Sequence, residues 1–165
     1  MTPRRLAGVF VPVTTPFDSS RGDPVAAQFK HNIERLLAAG LDGILVAGST
    51  GEAALLDAAE QDTLVRWARA VIPEDRWLLV GTGAESTRQA IALTRAAAAA
   101  GADAVLVRPP GYFAPMFAPA QLRDYYRAIA DASPIPVLVY NIPKYAHVTV
   151  PPELLVELAG HERIV

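Results

Sequence analysis

Short apolar runs alternate with amphipathic stretches along the whole chain. The runs are Gly8–Val13, Gly43–Ala47, Trp77–Val80, Ala104–Val107 and Pro136–Tyr140, and another opens at Arg163. They are rich in Val, Leu and Ile and lack polar alternation, the pattern of parallel strands buried on both faces. The stretches between them carry helix ends. The first covers about 24–39 and stops at Gly40, a residue type favoured just past a helix. The second has Asp57 as N-cap with Glu60 three residues on, the spacing of a capping box. The third pairs Ser86 with Gln89 in the same way and ends at Gly101. The fourth has Pro119 in its first turn, and the fifth runs from Pro151-Pro152-Glu153 to Gly160.

The order is five βα units and the opening of a sixth strand. An internal echo sharpens it: Ala38–Val46 resembles Ala99–Val107, two βα units further on. A repeated βα unit favours a barrel over a doubly wound sheet, which the pattern alone leaves open. The expected fold is therefore α/β, a (β/α)8 TIM barrel truncated after its fifth βα unit and the start of strand six. Residues 1–165 are expected to form a single domain, the N-terminal part of that barrel. Such a half-barrel exposes sheet edges and apolar surface, which predicts oligomers or aggregation for the isolated chain.

Composition narrows the function classes. The 165 residues are 52% apolar with a net charge of −2, which describes an ordinary globular protein and gives no electrostatic case for nucleic acid. With no cysteine there is neither a disulfide framework nor a thiolate metal site. Met1-Thr-Pro-Arg-Arg5 leads straight into the first apolar run without the features of a signal peptide, and no apolar window is long enough to span a membrane. A cytoplasmic protein is expected. His31, His147 and His161 lack ligand spacing, so no metal is expected, and His31 is placed on a solvated helix face.

In a barrel the chemistry sits at the C-terminal ends of the strands. There the chain carries Thr14-Thr15-Pro16-Phe17, Gly48-Ser49-Thr50-Gly51-Glu52, Gly81-Thr82-Gly83-Ala84-Glu85, Arg108-Pro109-Pro110-Gly111-Tyr112-Phe113 and Tyr140-Asn141-Ile142-Pro143-Lys144. In the second of these, two glycines let backbone N–H groups converge and two hydroxyls add donors, so a carboxylate or phosphate could be cradled. An ordinary βα turn with a capping hydroxyl fits the same residues. Gly81-x-Gly83-x-x-Ser86 lacks the third small residue of a dinucleotide fingerprint and reads as a tight turn; no cofactor is implied. Tyr140 closes a strand, where a tyrosine can shuttle protons or simply pack.

Thr15-Pro16-Phe17, Gly48-Ser49-Thr50-Gly51-Glu52 and Tyr140-Asn141-Ile142-Pro143 together resemble the dihydrodipicolinate synthase / N-acetylneuraminate lyase family, over essentially the whole chain but only the first half of a family barrel. The resemblance implies a Schiff-base-forming lyase or aldolase that joins or cleaves pyruvate, or another 2-oxo acid, and an aldehyde, and a homo-oligomer. It implies that Ser49 and Thr50, with Gly48 and Gly51, bind the pyruvyl carboxylate, that Ser49 shares a proton relay, and that Tyr140 is the acid/base. Three departures follow. The family lysine on strand six is missing: the two lysines are Lys30, inside a helix, and Lys144, in a loop, which better suits contact with a substrate carboxylate or a solvated loop charge. The chain alone is therefore expected to be inactive. Gly111-Tyr112 replaces a Tyr-Tyr pair, so Tyr112 is the relay tyrosine shifted by one place, or the relay is broken and Tyr112 packs at a subunit interface. Tyr145 stands where synthases of the family usually carry an arginine, which favours a 2-keto-3-deoxy sugar acid aldolase over a dihydrodipicolinate synthase. The competing class is a catalytically silent half-barrel that binds small carboxylates or pairs with another half-barrel.

Overall fold

Valine, isoleucine and leucine runs of three to five residues become strands, and in the computed structural model these are β1 (Phe10–Pro12), β2 (Gly43–Val46), β3 (Trp77–Gly81), β4 (Ala104–Val107) and β5 (Val137–Val139). The helices are α1 (Ala26–Ala38), α2 (Ala58–Arg69), α3 (Thr87–Ala99), α4 (Pro119–Ala132), α5 (Pro143–Ala146) and α6 (Pro152–Leu158). The structure describes residues 6–165, so the reading of Met1–Arg5 as free of a signal peptide lies outside the described residues. The chain forms two compact units, one from the residues up to Val80 with Ala100–Ala102, the other from Gly81–Ala99 with Asp103–Val165.

In the first unit β1 pairs parallel with β2, and β2 with β3, in the registers Val11 to Ile44 and Ile44 to Leu78. Ile44, Val46, Leu78 and Val80 are completely or almost completely buried, whereas Leu45 is only half-buried and Pro12 exposed. Side chains alternate across a strand, and on the face that carries Leu45 its neighbour in register, Leu79, is buried. Helix α1 buries Phe29 and Ile33, one turn apart, and Phe29 meets Trp67 of α2 with ring centroids 6.5 Å apart. It begins at Ala26 because Pro24 bridges Phe17 and Val25 N–H donates to Pro16 O at 2.8 Å, closing the preceding loop. Helix α2 has the expected box: Glu60 N–H donates to Asp57 Oδ1 and Asp57 N–H to Glu60 Oε2, each at 2.8 Å.

In the second unit β4 pairs parallel with β5, Val105 to Val137 through Val107 to Val139. The expected sixth run is present as a parallel bridge of Ile164 to Val137, with Val137 N–H donating to Arg163 O at 2.7 Å. Helix α4 buries Leu122, Tyr125, Tyr126, Ile129 and Ala130, the stripe of a helix lying on a sheet. Its cap is half a box, since Gln121 accepts from Ala118 N–H at 2.9 Å but alanine has no oxygen to return the bond. At α3, Gln89 N–H donates to Ser86 Oγ at 3.2 Å. Gly40 and Gly101 are left-handed (φ 84° and 100°) at the ends of α1 and α3, as their places in the sequence require.

Candidate active-site loops

The chain leaves β2 through a strained turn. Ala47 and Glu52, neither of them glycine, hold φ of 51° and 60° on either side of Gly48-Ser49-Thr50-Gly51. A left-handed residue with a Cβ costs about 1–2 kcal/mol, so such a loop persists only where its surroundings fix it. Two kinds of bond do so. Gly51 and Ala53 N–H groups both donate to Gly48 O, at 3.1 and 3.2 Å, and Glu52 N–H donates to Ser49 O at 3.2 Å. From the loop after β1, the buried Thr15 hydroxyl donates to Gly51 O at 2.8 Å. A Cβ on Gly51 would stand 3.0 Å from Val13 O, so the glycine permits this approach of the two loops.

The consequence for anion binding is specific. Gly51 N–H is engaged inside the turn, and Gly48 and Gly51 are buried, so these glycines shape the loop. Ser49 and Thr50 are exposed at its tip. A shallow depression of about 590 Å³ elsewhere in this unit, lined by Thr14, Pro16, Gln28, His31 and Asn32 among others, touches none of these four residues. His31 itself is exposed, as expected of a solvated helix face.

The second unit holds the other predicted residues. Tyr140 follows β5 half-buried, with its N–H donated to Val107 O at 2.8 Å. Asn141 then grips both backbone groups of Val150: its Nδ2 donates to the carbonyl at 3.0 Å and its Oδ1 accepts from the N–H at 3.1 Å. That closes the loop around Ile142 and Pro143. Lys144 lies in the one-turn helix α5 and not in a loop, a correction whose cause is Pro143 at the first helical position. It is exposed, with Nζ 5.1 Å from the Tyr145 ring centroid. Tyr112 is 81% exposed and stacks edge-to-face on Phe113 at 4.8 Å. The segment that carries it runs beside α5: a Cβ on Gly111 would come within 3.3 Å of Ala146 O. Tyr112 and Lys144 therefore stand on neighbouring segments of one unit, while Ser49 and Thr50 belong to the other. Thr15 and Asn141 are positioning residues that the motifs contain but that sequence reasoning gave no role. Among the described residues no group of three or more His, Asp or Glu side chains is placed to hold a metal.

The chain matches the dihydrodipicolinate synthetase family model over residues 5–165. The chain belongs to that family. Among its relatives, a probable mitochondrial 4-hydroxy-2-oxoglutarate aldolase of Emericella nidulans is 44% identical over 84% of this chain and 46% of its own length. A 4-hydroxy-tetrahydrodipicolinate synthase of Xanthomonas axonopodis is 40% identical over 97% of this chain and 52% of its own. Among solved structures, the chloride-inhibited dihydrodipicolinate synthase of Acinetobacter baumannii complexed with pyruvate superposes with a TM-score of 0.90 at 33% identity, over 96% of this chain and 53% of that one. The TIM-barrel fold class is thereby shown for the chain, which spans about half the length of the family members it matches. Among the described residues no helix is long and apolar enough to cross a membrane.

Proposed function

We propose that this chain carries the substrate-binding loop and the proton-transfer tyrosines of a Schiff-base-forming lyase that joins or cleaves pyruvate, or another 2-oxo acid, and an aldehyde. The observation that carries this reading is the Gly48–Gly51 turn. It is strained at both ends, tied down by Thr15, and presents two exposed hydroxyls at the end of a parallel strand. In this reading Ser49 and Thr50 donate to the carboxylate of the 2-oxo acid. A lysine amine adds to the keto carbon and water leaves, giving an iminium that draws electrons from the neighbouring carbon. Tyr140 moves the proton as the carbon–carbon bond forms or breaks, and Tyr112 extends the relay.

Neither Lys30 nor Lys144 is assigned as the nucleophile. A lysine nucleophile is activated in a desolvated pocket or beside another cation, and Lys144 stands exposed on a one-turn helix. Lys144 is read instead as a contact for the substrate carboxylate or as a solvated charge. Tyr145 in place of an arginine favours a sugar-acid or other 2-oxo-acid aldolase, and the aldolase relative at 44% identity supports that choice. The active form is read as a cytoplasmic homo-oligomer, with exposed Tyr112, Phe113 and Met116 as contact surface.

Borohydride trapping with pyruvate, read by intact mass, tests the reading on this chain and on a version extended to the length of a family barrel. An adduct on the extended form alone is expected. An adduct on this chain that disappears in Lys144→Ala would reassign the nucleophile. A folded extended form that is never trapped would leave the carboxylate-binding half-barrel as the better reading.

A further inference from the structure

The turn after β3 carries a carboxylate that the proposed reaction does not use. Glu85 Oε2 accepts two consecutive backbone N–H groups, those of Gly111 and Tyr112, each at 2.9 Å. Its other oxygen, Oε1, accepts from Arg108 Nη1 at 2.9 Å, and the same Arg108 nitrogen donates to Pro109 O at 2.9 Å. One side chain thus binds both the base and the tip of the segment that leaves β4.

The position of Glu85 is itself fixed from below. The hydroxyl of Tyr125, buried on α4, donates to Ala84 O at 3.0 Å and is within 3.2 Å of Ala84 N–H, gripping both backbone groups of the preceding residue. The same hydroxyl lies 3.3 Å from Arg108 O. Gly83 makes the approach possible: a Cβ there would sit 2.5 Å from Arg108 N. The segment beyond Tyr112 folds in short-range turns, Ala114 N–H to Gly111 O, Met116 N–H to Phe113 O and Phe117 N–H to Ala114 O, and buries Ala114. The Tyr112 ring, largely in solvent, meets Phe113, itself exposed. A side chain so placed is aimed by its backbone, and its backbone is held by Glu85.

We propose that Glu85 is a positioning residue for Tyr112, its carboxylate setting where the Tyr112 backbone, and hence the phenol, stands. The functional part of this inference rests on the reading of Tyr112 as a member of the proton relay. The carboxylate form is the one that serves, because an ionised acceptor makes shorter and stronger bonds to N–H groups than a neutral one. Burial alone would raise the Glu85 carboxyl; the amides of Tyr112 and Gly111 and the Arg108 guanidinium outweigh it and hold the group below its ordinary value. The charged and titratable groups that face it are Arg108 from the end of β4 and Tyr125 from α4.

Amide hydrogen exchange and proton shifts of Gly111 and Tyr112 test the clamp on the chain itself, in Glu85→Gln and Glu85→Asp. Gln keeps the shape and removes the charge; Asp keeps the charge and falls one methylene short. Exchange at both amides should quicken roughly tenfold in either variant, as charge-assisted bonds weaken or break. In the parent both amide shifts should follow one titration that Glu85→Gln abolishes. Unchanged protection together with pH-independent shifts would overturn the clamp. In the catalytically competent family-length form, Glu85→Gln should lower kcat severalfold with little change in KM for pyruvate, and Tyr112→Phe should do the same. If Glu85→Gln frees the amides but neither variant alters kcat, the relay role of Tyr112 falls while the clamp stands.

Discussion

Replacing Thr15 by Val separates the hydroxyl that ties the two loops from the bulk that fills the space. Valine keeps the β-branched shape and the volume, so no cavity opens and little packing is lost. What disappears is the 2.8 Å bond to Gly51 O, in a site where Thr15 is 4% exposed and Gly51 is buried. A lost hydrogen bond that leaves a buried carbonyl unpaired costs about 1–3 kcal/mol. The turn it anchors holds Ala47 and Glu52 in the left-handed region, at about 1–2 kcal/mol each. The anchor and the strain are therefore of the same size. Removing the bond is expected to destabilise the fold by about 2 kcal/mol and to loosen Ser49 and Thr50 at once. Thr15→Ser keeps the hydroxyl and loses one methyl, a cost of about 0.8 kcal/mol. Urea unfolding compares the midpoints at constant slope, and hydrogen exchange at residues 49–51 reads the loop. A valine variant as stable as the parent, or more stable than the serine one, would refute the claim that the hydroxyl holds the turn.

Three further outcomes follow from the same geometry. Gly83→Ala forces a Cβ to 2.5 Å from Arg108 N and 2.7 Å from Arg108 O, so it should cost about 1–3 kcal/mol and lower the melting temperature by several degrees in calorimetry. Asp57→Ala breaks the capping box of α2 and should cost about 1 kcal/mol by urea titration, while Asp57→Ser should retain most of it. Burial pushes the Tyr125 phenol up from 10.0 to about 12 and raises that of Tyr126 as well. The unfolded chain therefore loses these protons first, and stability complete below pH 10 should decline as the pH climbs towards 12. Tyrosinate absorbance should show two of the five tyrosines ionising together with unfolding; ionisation of all five in a chain still folded would contradict this burial.

The sequence by itself determined the element order, the parallel βα grammar, the Asp57–Glu60 box, the left-handed glycines at 40 and 101, and Pro119 at the head of α4. All of these depend on residues within a few positions of one another, where periodicity, capping and backbone sterics act. It also placed Ser49, Thr50, Tyr112 and Tyr140 in the segments that follow strands, because the alternation of runs marks where each strand ends. The one-turn helix α5 went unread, since four residues are too few to show a period. The left-handed Ala47 and Glu52 were equally silent: nothing in an alanine or a glutamate announces a positive φ, which is imposed by the turn they flank. Only the tertiary structure decided the bonds that hold the functional loops. Thr15 reaches Gly51 across 36 positions, and Glu85 reaches Gly111 across 26. Such bonds exist because packing of parallel strands brings successive strand ends side by side, and a hydroxyl or a carboxylate at one end then meets the backbone of the next.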